Sequence, residues 1–240
     1  MKGFRFLVVN DLHHASTECT PFLEALVAHM RGRAPFDFCL IVGDLADQGA
    51  RESLVAVREA FAPLGVPIHS VPGNHDCDVG ENNEIYASVF PEKINYTFVH
   101  RGWQFVGLDT TDGNKWKDTR IGAAANAFLD AAVPTLDRKA PTILFTHFPM
   151  AEDVRMASLS ANEVLGRFDG LDLRCVFSGH YHARTERARR SAVVTTNTCC
   201  ARVRGPHDGT TDEGCLLCTA HGDGRLEREF VPFAPAVTRV

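Results

Sequence analysis

Five short clusters of oxygen and nitrogen donors punctuate the chain in order: Asp11-Leu-His13, Gly43-Asp44-Leu-Ala-Asp47, Gly73-Asn74-His75-Asp76, His147 after Thr146, and Gly179-His180-Tyr-His182. Carboxylates, imidazoles and a carboxamide, with no thiolate among them, suit Fe, Mn, Zn or Co better than copper or an iron–sulfur cluster. Two such ions about 3.5–4 Å apart need one carboxylate shared between them and several neutral donors around it. Asp44 is the candidate shared ligand. Asp11, His13 and His182 can complete one ion, and Asn74, His147 and His180 the other. Each cluster alone is weak, because a DxH or a GDxxD arises by chance in many chains. Together they hold five of the chain's eleven histidines, and their common placement is the signal.

That placement is set by the elements before them. Apolar, β-branched runs at 4–10, 37–43, 67–73, 141–146 and 173–179 each stop abruptly at a cluster. Such short apolar runs predict strands buried on both faces. Between them, Phe22, Leu23, Leu26, Val27 and Met30 have helical spacing, with Thr20 as expected N-cap and Pro21 in the first turn. Leu54, Val57, Phe61 and Leu64 form a second stripe; Ala125, Leu129, Ala132, Val133 and Leu136 form a third. Alternation of strand and helix predicts an α/β fold, in which ligands bind outside the carboxyl ends of the strands. Beyond His182 the runs at 191–196, 214–219 and 226–231 predict short strands of an antiparallel second sheet. With no internal repeat or low-complexity linker, residues 1–240 are expected to form a single domain.

Composition narrows the function. The 240 residues are 45% hydrophobic and 23% charged with a net charge of −5, so the chain can bury a core without staples. An acidic balance argues against long nucleic acids, which need a basic face, and leaves a small phosphorylated partner open. No apolar run approaches the roughly 18 residues of a membrane span. The segment Phe4 to Asn10 runs straight into Asp11 without the pattern of a signal peptide, so a cytoplasmic protein is expected. Eight cysteines then default to buried hydrophobes, and Cys215-Leu-Leu-Cys218, lacking a second pair, reads as strand rather than zinc site.

The ordered set DxH, GDxxD, GNHD, His and GHxH from Asp11 to His182 resembles the calcineurin-like metallophosphoesterase superfamily. Leu108-Asp-Thr110, Gly122 opening a helix and Thr195 to Cys199 look most like its class III cyclic nucleotide phosphodiesterases; the family pattern often has a second histidine after the strand-end one, where this chain has Phe148-Pro149. The resemblance implies a four-layer α/β/β/α sandwich with two mixed β-sheets and a dinuclear centre on the seven ligands above, bridged by Asp44. It implies in-line attack on phosphorus by a hydroxide between the metals. His75 matches the family's catalytic histidine and would protonate the leaving alkoxide; Asp47 matches the acid that orients it. A small phosphodiester, such as a 3′,5′-cyclic nucleotide, is the expected substrate. The alternatives are a phosphomonoester or phosphoprotein on the same metals, or a non-catalytic scaffold. The oligomeric state stays open, a homodimer included.

The neighbouring residues divide less sharply. His14 follows a ligand but should point to the other side of the chain. Asp76 reads equally as support for a ligand or as a turn former, and His69 as packing or surface. Arg184, Arg187, Arg189 and Arg190 read as a solvated strand edge, with a phosphate-facing role as the weaker option. Residues 110–120, which include Trp116, form a loop of the length that shapes substrate binding. Gly43, Gly73 and Gly179 are expected to permit strained turns beside the ligands.

Overall fold

Alternation along single strands builds two cores at once, because successive side chains point to opposite faces. In the computed structural model, which describes residues 2–234, Leu7 and Val9 of β1 (Phe4–Val9) enter one core while Phe6 and Val8 enter another. Strand β2 (Phe38–Val42) divides in the same way, Cys39 and Ile41 against Phe38, Leu40 and Val42. The first core is closed by α1 (Thr20–Arg31), α2 (Arg51–Phe61) and α3 (Glu84–Val89) through Phe22, Leu26, Leu54, Val57 and Tyr86.

The second core lies between two sheets. One runs β11-β10-β1-β2-β3, with β3 (Ile68–Val71), β10 (Gly214–Ala220) and β11 (Leu226–Pro232). The other contains β4 (Tyr96–His100), β5 (Trp103–Leu108), β6 (Pro141–Thr146), β7 (Asp172–Ser178), β8 (Thr185–Arg189) and β9 (Ala192–Thr196), in the order β4-β5-β6-β7-β9-β8. Both are mixed: β1, β2 and β3 are parallel, with β10 antiparallel to β1 and β11 to β10, while β5, β6, β7 and β9 are parallel, with β4 and β8 antiparallel at the edges. Phenylalanines fill the space between, Phe6 stacked on Phe38 at 5.0 Å and Phe105 edge-on to it at 5.2 Å. A third core seats α4 (Ala123–Ala132) and α5 (Ala161–Arg167) on the far face of the second sheet through Leu129, Val164 and Leu165. This is the four-layer α/β/β/α sandwich.

Two expectations need correction. The strands after His182 do not make a sheet of their own: β9 extends the second sheet beside β7, and β10 returns to pair with β1. In both places the new strand pairs backbone N–H and C=O groups that a sheet edge would otherwise leave open. Thr20 is the first residue of α1 rather than its cap, because a 3-10 turn, Thr17–Cys19, feeds directly into the helix and Ser16 caps that turn. Helices α3 and α5, of six and seven residues, are too short to show a periodic stripe.

Cys215 and Cys218 enter opposite cores of β10 and cannot share a ligand. All eight cysteines are buried. Among the described residues no helix is long and apolar enough to cross a membrane.

Candidate metal centre

The parallel strands stop just short of the donors: β1 before Asp11, β2 before Asp44, β3 before Asn74, β6 before His147 and β7 before His180. The turns that follow are strained. Asp11, His13, Asp44, His180 and His182 have φ of 53°, 43°, 53°, 65° and 52°, a conformation that costs free energy for residues with a Cβ and concentrates at functional sites. Backbone bonds lace the clusters together: Asp11 N–H donates to the Gly43 carbonyl at 3.0 Å, and His180 N–H to both Asp11 carboxylate oxygens at 3.1 and 3.0 Å. Two of the glycines serve a different purpose from the one expected. Gly73 and Gly179 have no left-handed φ; instead a Cβ at Gly73 would collide with Asp44 Oδ1, and one at Gly179 with Asp11 Oδ2. What they provide is space.

The donors converge in two buried groups sharing Asp44: Asp11, His13, Asp44 and His182, and Asp44, His147 and His180, with the donor atoms of each group within 4.8 Å of one another. In the first, His13 Nε2 faces His182 Nε2 at 3.1 Å, and Asp11 Oδ1 lies 3.2 Å from His182 Nε2. In the second, His147 Nε2 faces His180 Nδ1 at 3.2 Å and lies 3.2 Å from Asp44 Oδ2. Backbone carbonyls occupy the outer ring nitrogens: His147 Nδ1 donates to Val42 at 3.1 Å, His182 Nδ1 to Gly205 at 3.2 Å and His180 Nε2 to Trp116 at 2.7 Å. Each inner nitrogen thereby faces inward, the orientation that metal-binding histidines require. Asp44 Oδ2 meets His147 Nε2 at 3.2 Å and His13 Nε2 at 3.5 Å, and Asn74 Oδ1 is buried without a hydrogen-bond partner. Buried carboxylates, imidazoles and a carboxamide oxygen that face one another this closely fit two cations, and the donor set matches hard or borderline ions.

The carboxylates favour the protonated form of two of these rings, and a bound cation would take the place of those protons. Although burial opposes it, His147 holds Asp44 well below the usual carboxylate range, and His182 does the same for Asp11. Against burial, Asp44 lifts His147 to about 9 and Asp11 lifts His182 to about 11. Burial and the neighbouring His147 push His180 down to about 3.

His75 and Asp47 stand beside these groups, with one change of role. His75 Nδ1 donates to the backbone carbonyl of Asp47 at 2.8 Å, while the Asp47 carboxylate lies 3.8 Å away. That carboxylate instead accepts from Arg204 Nε and Nη2 at 2.9 and 2.7 Å, and its Oδ1 sits 3.2 Å from His13 Nδ1. The competing arginine explains why the carboxylate does not turn to His75. Asp76 supports ligands: buried, it accepts from the backbone N–H of Leu45, Ala46 and Gly73 at 3.1, 2.7 and 2.9 Å, tying the GDxxD and GNHD turns together. Burial and Asp44 raise it to about 7. His14 turns away to Thr20 Oγ1 at 3.1 Å, and His69 stacks on Phe98 at 3.7 Å. Phe148 packs against the ring of His180 at 4.2 Å.

A cleft of about 560 Å³ opens over the groups, lined by His75, Asn74, Trp116, Met156, Arg204 and His207 among others. Sequence reasoning missed Arg204 and His207, whose ring stacks on His182 at 4.5 Å. Nothing local marks them, since Arg204 meets Asp47 from 157 residues away.

A family model for calcineurin-like phosphoesterases matches residues 4–184. The chain is similar to the 3′,5′-cyclic adenosine monophosphate phosphodiesterase CpdA of Pseudomonas aeruginosa, at 26% identity over 85% of this chain and 78% of that protein. It is also 26% identical to a probable cyclic nucleotide phosphodiesterase of Synechococcus sp., over 68% of this chain and 64% of that relative, so less than two thirds of that relative's length is spanned. A dimetal phosphatase from Danio rerio has the same fold, with a TM-score of 0.72 at 16% identity over 95% of both chains.

Proposed function

Because this chain belongs to the calcineurin-like phosphoesterase family, we propose that it is a metal-dependent phosphodiesterase acting on a small diester, a 3′,5′-cyclic nucleotide in particular. The observation that carries the reading is the pair of buried donor groups that face inward and share the Asp44 carboxylate. Asp11, His13, Asp44 and His182 would hold one ion, and Asp44, Asn74, His147 and His180 the other. Two Fe, Mn, Zn or Co ions supply Lewis acidity and a nucleophile at neutral pH.

The chain's own residues do the rest. The carbonyls of Val42, Gly205 and Trp116 keep the histidine rings oriented. His75, anchored through Nδ1 to the Asp47 carbonyl, is left with Nε2 for the cleft it lines, where it would give a proton to the departing alkoxide. Similarity to CpdA and to a probable cyclic nucleotide phosphodiesterase supports the diester over the monoester. Eight buried thiols suit the reducing cytoplasm, where we place the protein.

The test is turnover of 3′,5′-cyclic AMP, bis-p-nitrophenyl phosphate and p-nitrophenyl phosphate by protein loaded with Mn, Fe, Zn or Co. Diester hydrolysis above monoester hydrolysis, lost in His75→Ala, is expected. Faster monoester hydrolysis overturns the diester assignment, and no hydrolysis with two ions bound overturns the catalytic reading.

A further inference from the structure

The basic run after the last motif does not face the cleft. Arg187 pairs with Asp153, Arg189 and Arg190 with Asp169, and Arg184 lies 3.9 Å from Asp212. Among the described residues, Arg204 is the one arginine or lysine that lines the cleft, whose walls also carry the carboxylates of Asp44, Asp47 and Asp78. An anionic substrate entering there meets one side-chain cation that is always charged.

Arg204 arrives on a segment beyond the residues matched by the family model, and that segment is fastened to the metal groups. Cys200 N–H donates to the Asp11 carbonyl at 3.2 Å, His182 Nδ1 to the Gly205 carbonyl at 3.2 Å, and His207 N–H to the His182 carbonyl at 3.3 Å. The Asp47 carboxylate grips Nε and Nη2, using two of the guanidinium's five N–H groups and leaving three. The side chain is 38% exposed, and among the described residues those three have no protein acceptor, so a bound anion can supply one. A guanidinium held still by Asp47 loses less freedom on binding than an unanchored one.

We propose that Arg204 is a substrate-binding residue whose remaining N–H groups donate to a non-bridging phosphoryl oxygen. Asp47 is its positioning partner, which accounts for the carboxylate turning from His75 to Arg204. The proposal rests on the phosphoesterase reading for its substrate class, but not for its test.

Inorganic phosphate is the probe. Calorimetry on metal-loaded wild type and Arg204→Gln, with metal content measured alongside, should show phosphate binding weakened by about tenfold or more with both ions retained. KM for the phosphoester should rise by a similar factor while kcat changes less, and Arg204→Lys should recover part of the loss. Unchanged phosphate affinity, or a fall in kcat alone, overturns the proposal. Should Arg204→Gln fail to fold, modification of the wild-type protein by phenylglyoxal decides: phosphate must shield Arg204, read by peptide mass spectrometry, and absence of shielding overturns it. Phosphate binding through Arg204 in a protein that hydrolyses no ester sinks the proposed activity and leaves this assignment standing.

Discussion

His147 Nε2 lies 3.2 Å from Asp44 Oδ2, with both side chains fully buried, and the contact joins the end of β6 in one sheet to the end of β2 in the other. The two sheets are therefore held together at this edge by the same atoms that face the candidate metal positions. Hydrophobic contact between Phe6, Phe38, Phe105 and Phe145 brings the sheets together, but it does not by itself align their carboxyl ends. Polar contacts at the strand ends join them there: Asp44 with His147, His147 Nδ1 with the Val42 carbonyl, and His180 N–H with the Asp11 carboxylate.

Asp44→Asn keeps the shape and removes the shared anion. It should leave fewer than two ions per chain by elemental analysis and lower ester hydrolysis by at least ~100-fold, the upper end of what a disturbed metal shell costs. In the wild type, chelation should lower the thermal midpoint, because ions that bind only the folded state stabilise it. A midpoint unmoved by chelator would refute metal coupling to this fold.

Gly73→Ala places a methyl group against Asp44 Oδ1 and the Asp44 backbone. Overpacking of this kind costs about 1–3 kcal/mol, and here it displaces a ligand. The variant should denature at lower urea and bind metal more weakly, whereas Gly122→Ala, with nothing within 4 Å of the added carbon, should do neither.

His69 tests a pH effect away from the metal groups. Burial and Lys93, whose Nζ is 3.3 Å from its Nδ1, hold His69 down to about 4 from an ordinary 6.5. The unfolded chain then binds the extra proton first, so stability is complete above pH 6.5 and is lost as the pH falls from 6.5 through 4. With partial exposure discounting the shift, the loss attributable to this residue is on the order of 1–2 kcal/mol. Urea titrations across this range should show a flatter profile for His69→Phe than for the wild type.

Trp116 is 51% exposed on the cleft wall, while its backbone carbonyl accepts from His180. Trp116→Ala keeps that carbonyl and removes only the ring. If a nucleobase stacks there, KM for a cyclic nucleotide should rise by about 5- to 150-fold, since stacking is worth ~1–3 kcal/mol per base. Hydrolysis of a dialkyl phosphate should be unaffected. Equal effects on both would remove the stacking role.

Much of this protein is set by local sequence. The apolar runs, their abrupt ends at Asp11, Asp44, Asn74, His147 and His180, and the helical stripes between them are short-range patterns governed by backbone periodicity. They were enough to indicate the five strands that end at the donors, the α/β class and the donor set, but not β4 and β5. Tertiary structure decided what periodicity cannot encode: that β10 pairs with β1 rather than with β9, that Gly73 and Gly179 are needed for clearance, and that Asp47 reaches Arg204 with its carboxylate and His75 with its carbonyl. Each of these depends on which surfaces meet after the chain has closed over long distances. The exchange of partners at Asp47 is the clearest case, since the competing guanidinium lies 157 residues away along the chain and donates to the carboxylate through both Nε and Nη2.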